Sequence, residues 1–475
     1  MRVLLILLFL FGTLSQARAA TDWALVHTRT MEAMDLLYNL DFVAAEKKCN
    51  EVIGLAPGDP RGHFFKAMTY YYKMSFKGGS KNDTAFWAFV YHADKVKQVC
   101  ERLLDQNEQD TKAMFYLGGT IGFKGLAYVG RGETMKAIWD GKKGYDLLAD
   151  AVAIDPTNMD AKMGLGMFQY MISQAPSALQ PAIKLAGMSG DRWGGLRMLE
   201  EAAAKGTYAK SEARRWLSSF YLDEDLPKRA IVHLRIVKEA FPNNWYVLQQ
   251  FADVTCFQLF DAKAAEDAYK LMATMDVKTG DDAYVRWVAN TRLGYLSTAR
   301  ERYEEAISYY TTAYNVTSSS DRKNESASNL GLAYELMGDR RVATMWYQKA
   351  GASPMAQKNL ARAWTAEDIV TNKIAWAYSI GLYSRVAFLA DSARNHGMIP
   401  AIPKYAQVLY QQGVACSELS RYSDADQCFR DILGIQGTDP WVPPAKALEF
   451  EDYPSEVTLR KRIAREKSAL DRNGK

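Results

Sequence analysis

The chain has 475 residues, 48% of them hydrophobic and 24% charged, a composition that suits a folded protein with more than one core and excludes a disordered or collagen-like chain. Fifty-nine Lys+Arg against fifty-five Asp+Glu leave a net charge of only +4, too little for a general polyanion binder. Five cysteines exclude a disulfide-built scaffold, and an odd number cannot all pair within one chain.

Met1-Arg2, the apolar run Val3 to Phe11 and the sequence Ala17-Arg18-Ala19 form a charged start, a short apolar core and an Ala-x-Ala site. They predict a signal peptide over residues 1–19, cut before Ala20. The apolar run is about half of the roughly 20 residues that span a bilayer, and no cysteine follows the site to carry a lipid anchor. No later stretch is apolar enough to cross a membrane, because Lys, Arg, Asp or Glu interrupts every one. The mature chain is expected to be exported and periplasmic, at most peripheral to the outer membrane.

Residues 20–210 read as an elaborated helical region with insertions at 73–84 and 173–191. Between Tyr72 and Phe86 a polar, glycine-containing run stands where a helical hairpin would have a tight turn. Glycines 118, 119, 122, 125 and 130 share a helix with Phe115, Phe123 and Tyr128, and either close helix packing or a ligand contact would account for them. A helix over Met159 to Ile172 carries Gly164 and Gly166. A proline-broken apolar insertion follows it, and then a helix over Trp193 to Lys205 with Gly195, Leu199 and Ala202 at regular spacing.

Residues 211–450 repeat one pattern: a small residue, another twelve later, and a small or aliphatic one seven after that. Gly294, Ala306 and Ala313 form one register, and Gly331, Ala343 and Ala350 the next. Gly413, Ala425 and Ile432 form another, while Ser218, Ala230 and Val237, and Ala33, Ala45 and Val52, are earlier ones. Tyr310, Tyr347, Phe429 and Leu234 follow the middle small residue by four. This is the pattern of a helical hairpin whose arms approach at the small residues, with Gly or Asp at the turn as at Gly338-Asp339. One such hairpin cannot bury its apolar face alone and must stack on the next. The fold class expected is all-α, a right-handed superhelical solenoid of antiparallel helix hairpins.

These residues resemble the tetratricopeptide repeat, with matches at 26–59, 211–244, 287–357 and 406–436. Gly-Leu-Gly-Met-Phe at 164–168, the insertion after it, Ser-Gly-Asp-Arg at 189–192 and Gly195-Leu196 carry a narrower resemblance. So do Gly122 to Gly125, Tyr128, Arg131 to Glu133, Trp139 to Gly141 and Gly144-Tyr145. They look like a bacterial branch of the family that includes tetratricopeptide repeat protein 39 and the yeast inclusion-body-clearance protein. The resemblance implies an adaptor-like, non-enzymatic role; eukaryotic relatives work at the mitochondrial outer membrane and on lipid droplets. Arg131, Glu133, Asp191 and Arg192 are the polar residues of these motifs. Ion pairing and helix capping are one reading of them, binding another; Asp191 stands at a helix start, where Asp is a natural N-cap.

No cofactor, metal or nucleotide site is expected. His27, His63, His92, His233 and His396 are scattered and none falls in a metal-ligand spacing. Gly164 to Gln169 lacks the last glycine of a dinucleotide loop, and Gly78 to Lys81 lacks phosphate-loop spacing. No G-x-S-x-G occurs. Cys49, Cys100, Cys256, Cys416 and Cys428 fall mostly at repeat core positions as small apolar fillers, with a Cys416–Cys428 disulfide left open. The segment 451–475 ends in seven basic and two acidic residues from Leu459 on, a basic capping helix or tail. Without interleaved aromatics it gives no support for nucleic acid, whereas anionic lipid would attract it. The function expected is a non-catalytic scaffold holding a protein or peptide on the concave repeat surface. The alternative is a carrier of an apolar ligand or lipid, with a pocket around Met167, Phe168, Leu179 and Ile183.

Overall fold

Residues 21–76, 83–396, 398 and 405–433 are described by the structure, a computed structural model. The expected leader and basic tail lie outside them, as does the centre of the first insertion. All regular elements among the described residues are helices. The chain divides into two compact units, residues 1–213 and 214–475.

The N-terminal unit holds α1 (Trp23–Tyr38), α2 (Phe42–Leu55), α3 (Arg61–Phe76), α4 (Asp83–Gln106), α5 (Thr111–Gly130), α6 (Thr134–Ile154), α7 (Met159–Ser173), the short α8 (Gln180–Leu185) and α9 (Arg192–Lys205). Helix α10 (Lys210–Asp223) begins in this unit and ends in the next. Consecutive helices pair as antiparallel hairpins, and α7 pairs with α9 across the insertion between them. There the glycines sit where backbones meet: a Cβ on Gly166 would lie 2.7 Å from the Gly195 carbonyl oxygen, and one on Gly195 2.6 Å from that of Gly166. Helix α3 runs on to Phe76, into the stretch expected to be loop, because Met74 still buries its side chain.

The C-terminal unit continues with α11 (Pro227–Ala240), α12 (Trp245–Phe257), α13 (Ala262–Thr274), α14 (Asp282–Ala299), α15 (Tyr303–Val316), α16 (Ser320–Met337), α17 (Arg340–Lys349), α18 (Pro354–Ala361), α19 (Ala366–Ser379), α20 (Tyr383–Asn395), α21 (Tyr405–Glu418) and α22 (Tyr422–Leu433). Three hairpins close in the same way. A Cβ on Gly294 would lie 2.5 Å from the Tyr310 ring, one on Gly331 2.5 Å from Tyr347, and one on Gly413 2.7 Å from Phe429. Each glycine lets the aromatic of the second arm lie directly on the first helix. Ala306, Ala343 and Ala425 beside them are buried, as are Ala33, Ala45, Ser218 and Ala230 in the earlier hairpins.

The turns repeat as well. Leu40, Asp225, Glu301, Gly338 and Ser420 all take left-handed φ values, from 56° to 90°, seven residues after Ala33, Ser218, Gly294, Gly331 and Gly413. With that conformation the chain reverses within two or three residues before the second arm starts; Asp41 and Asp339 cap α2 and α17 by accepting the N–H of Ala44 and Val342 at 3.0 Å.

Gly331→Ala is expected to lower stability by about 1–3 kcal/mol through overpacking against Tyr347, and Gly338→Ala by about 1 kcal/mol through its left-handed turn. Ser420→Gly, at the equivalent turn, is expected to raise stability by several tenths of a kcal/mol. Chemical denaturation of the three variants gives these signs directly.

Candidate functional site

Two places gather side chains that a two-armed hairpin alone does not require. In the N-terminal unit, α1, α3, α5, α7 and the start of α10 turn apolar side chains toward one cavity of about 80 Å³. Its walls include Phe64, Phe115, Phe123, Met163, Met167 and Phe168. Glu212, at 3% exposure, is the one charged lining residue. Its Oε2 accepts from the hydroxyls of Tyr72 at 2.5 Å and Tyr38 at 3.2 Å, which tie α1 and α3 to α10.

A polar network braces the same helices. Asp59, 4% exposed, accepts from Arg61 Nε at 2.8 Å and pairs with Lys112. Arg61 also donates to Tyr208 Oη at 2.9 Å, and His27 Nδ1 lies 2.7 Å from the same oxygen. Asp160 at the start of α7 accepts the backbone N–H groups of Thr207, Tyr208 and Ala209 at 2.9–3.1 Å, satisfying donors that precede α10. Burial opposes the charge on Asp59, but hydrogen bonds from Arg61 and Lys112 outweigh it and hold the carboxyl below its ordinary value of 3.8.

The expected pocket is displaced. Met167 and Phe168 line the cavity, but Leu179 and Ile183 do not: Ile183, Ala186 and Met188 form a buried cluster with Leu179, Ile138, Tyr145 and Ile172 packed on it. The insertion folds back on α6 and α7 and fills its own core. The glycine-rich helix has mixed roles. Gly118 meets Leu148 and the Gly144 carbonyl, so packing requires it, whereas Gly119 and Gly122 line the cavity.

Arg131, Glu133, Asp191 and Arg192 stand elsewhere. Arg131 donates to Asp83 at 2.9 Å, lies over the Phe86 ring at 4.4 Å and has Glu133 at 4.0 Å, bridging the α5–α6 turn to the start of α4. Asp191 caps α9, accepting from the Gly194 N–H at 2.8 Å, and the Arg192 guanidinium lies 5.3 Å from the Trp193 ring centre. None of the four lines the cavity.

All five cysteines are buried free thiols, and burial pushes Cys49, Cys100, Cys256 and Cys428 up to about 12; they stay protonated and unreactive at neutral pH. Among the described residues no group of His, Cys, Asp and Glu is arranged to hold a metal ion, and no helix is long and apolar enough to cross a membrane.

The second place is in the C-terminal unit, where first arms of successive hairpins present half-buried aromatics and arginines. Tyr284 and Trp287 on α14 lie under the Arg322 guanidinium of α16, at 4.8 and 5.6 Å. Trp287 Nε1 donates to Ser326 Oγ at 3.0 Å. Further along α14, Arg292 pairs with Asp253 at 3.1 Å, and the Tyr295 ring packs against Trp376 of α19, tilted by 36°, with centroids 4.3 Å apart. Arg322 has no carboxylate within ion-pair distance among the described residues. Neither Arg322 nor the cavity residue Glu212 stood out in the sequence, since their partners lie in other hairpins.

Antiparallel hairpins closed by a small residue under an aromatic, turning through one left-handed residue and stacked in chain order, define a protein of tetratricopeptide-repeat type. Residues 157–218, from before α7 to within α10, match the family described as Iml2/Tetratricopeptide repeat protein 39. No curated protein matches the chain. Among solved structures, the apo quorum sensor NprR from B. thuringiensis is similar at 13% identity over 85% of this chain and 96% of its own, with a TM-score of 0.34. Yeast Tom70 is similar at 10% identity over 93% and 99%, with a TM-score of 0.27. The tetratricopeptide domain of P58(IPK) is similar at 14% over 83% and 98%, with a TM-score of 0.21. Likenesses of this size carry no argument about ligand or partner.

Asp59→Asn is expected to destabilise the N-terminal unit by about 3 kcal/mol, leaving Arg61 buried beside a neutral amide. Because the native carboxyl titrates below its unfolded value, its contribution is complete above about pH 4 and is lost as pH falls through the native value. Urea denaturation from pH 7 to pH 3 should therefore show the gap between wild type and variant narrowing only at the acid end.

Proposed function

We propose that the protein is an exported, non-catalytic scaffold of a bacterial cell envelope that holds a protein or peptide partner on the first-arm face of its C-terminal unit. The observation that carries this reading is the Tyr284–Trp287–Arg322 group. Trp, Tyr and Arg are the residues that dominate binding energy at protein interfaces, as large rigid contact areas and a planar five-donor cation. Arg322 is held by two aromatic faces and keeps its hydrogen-bond donors for an acidic group from outside. A partner segment carrying a carboxylate next to an apolar side chain fits this face. The predicted leader with its Ala17-Arg18-Ala19 site supports the export part of the reading.

The test uses the tagged full-length chain in its own organism, crosslinked before the envelope is isolated. Expected are a mature N-terminus at Ala20, enrichment in the periplasmic fraction, and one stoichiometric protein partner reduced at least tenfold by Arg322→Glu and by Trp287→Ala. Both variants should melt within a few degrees of wild type. An unprocessed cytosolic protein would sink the export part, and a partner retained in full by both folded variants would sink the proposed face.

A further inference from the structure

We infer that the cavity of the N-terminal unit binds a hydrocarbon chain, the acyl tail of a lipid or a fatty acid, entering by its methyl end. The first observation is Gly119. Glycine inside a helix costs about 0.5–1 kcal/mol relative to alanine, and its neighbours show what normally justifies it. A Cβ on Gly144 would lie 2.9 Å from Ile121, and one on Gly164 2.9 Å from Leu148, so larger residues there would push helices apart. A Cβ on Gly119 would meet only the Phe64 ring at 3.7 Å, an ordinary contact, and its φ is not left-handed. Neither packing nor backbone requires glycine at 119, which is true of Gly54 and Gly125 as well, but of these three only Gly119 lines the cavity. What a side chain there would take is the cavity itself.

The second observation is the chemistry of the walls. A volume of about 80 Å³ is about five to eight times the 10–15 Å³ that admits one water, room for the terminal stretch of a chain rather than its whole length. Apart from Tyr38, Tyr208 and Glu212, no lining side chain carries a hydrogen-bonding N–H or oxygen. A peptide backbone would lose its solvation there without finding partners, whereas methylene groups gain about 0.8 kcal/mol each on leaving water. Met68, Met163, Met167 and Met171 among the lining residues supply unbranched, polarizable side chains that adapt to a flexible ligand. Tyr38, Tyr208 and Glu212 are the only polar side chains in the lining, too few to replace the hydration of a charged headgroup, so the methyl end leads and the headgroup stays outside the cavity. The inference is independent of the Arg322 face, which belongs to the other unit.

The experiment titrates the purified mature chain with cis-parinaric acid and displaces it with lauric acid and, separately, with lauroyl lysophosphatidylcholine. Saturable binding with displacement by either competitor is expected. Gly119→Leu, which fills the cavity and replaces a poor helix former by a good one, should weaken probe binding at least tenfold without lowering the melting temperature. Gly54→Leu, at a helical glycine with open space around it, should leave binding unchanged. Phe168→Ala, which enlarges the cavity, should move the tightest competitor, in a series of saturated fatty acids shorter and longer than lauric acid, to a longer chain, a readout that survives if Gly119→Leu fails to fold. Mass spectrometry of an organic extract of the protein from its own cells then separates the sources, free fatty acid or phospholipid. Absence of saturable binding would overturn the inference, as would equal binding by wild type, Gly119→Leu and Phe168→Ala. So would a co-purifying protein lost from Gly119→Leu with no lipid in the extract, since the cavity would then hold a peptide side chain.

Discussion

The contact on which the architecture depends is that of an aromatic ring from one helix lying directly on the backbone of the helix before it. Tyr310 on Gly294, Tyr347 on Gly331 and Phe429 on Gly413 are the same contact repeated. It determines the separation of the two arms, and with it the depth at which Ala306, Ala343 and Ala425 can be buried. A Cβ at the glycine would place two atoms 2.5–2.7 Å apart, so the spacing admits little adjustment. The left-handed turn residue seven positions on accompanies it at Glu301, Gly338 and Ser420 and recurs at Leu40 and Asp225, after Ala33 and Ser218; a short connection between close arms favours that conformation.

The N-terminal unit uses the same principle with backbone on backbone. Gly166 against Gly195 and Gly118 against Gly144 bring helix axes closer than a ring would. Side chains around such crossings must then fill wider spaces than in the regular hairpins. At α6 and α7 the insertion does so with Ile183, Ala186 and Met188. In the cavity lined by α1, α3, α5 and α7 no equivalent side chain enters, and the walls are instead tied together by tyrosine hydroxyls on Glu212 and by the Asp59 network. The cavity is thus held open by hydrogen bonds at its border rather than closed by packing at its centre.

What was legible in the sequence and what was not divides along contact distance. The small residues, their aromatic partners and the Gly338-Asp339 turn lie within one hairpin, where helical periodicity relates position to face, and the triplets could be read without coordinates. The boundary of the first insertion is not legible, because polar composition hides that Met74 is buried. Leu179 and Ile183 were placed beside Met167 and Phe168 because they are near in sequence, but α7 has two faces, and the insertion returns to the one carrying Ile172. Tyr38 and Glu212 are 174 residues apart, and no local pattern joins them. Asp59 and Arg61 likewise meet Lys112 and Tyr208 across long separations that no local spacing encodes.

The two candidate sites differ in the physics that would make them selective. At the Arg322 face the cation is already stacked on Tyr284 and Trp287, so its rotamer freedom is spent before a partner arrives, and little further ordering is needed on binding. Affinity there should depend on an acidic group meeting the guanidinium at the right angle, and added salt should weaken it. The cavity selects by shape and by the absence of polar partners, and binding there should respond weakly to salt and carry the negative heat-capacity change of apolar burial. An unbraced Arg322 could follow a misplaced carboxylate, and a cavity with more polar groups would admit water. Each site excludes the other's ligand for a physical reason: a hydrocarbon leaves Arg322 unpaired, and a carboxylate in the cavity would lose its hydration among walls that offer almost no hydrogen-bond donors.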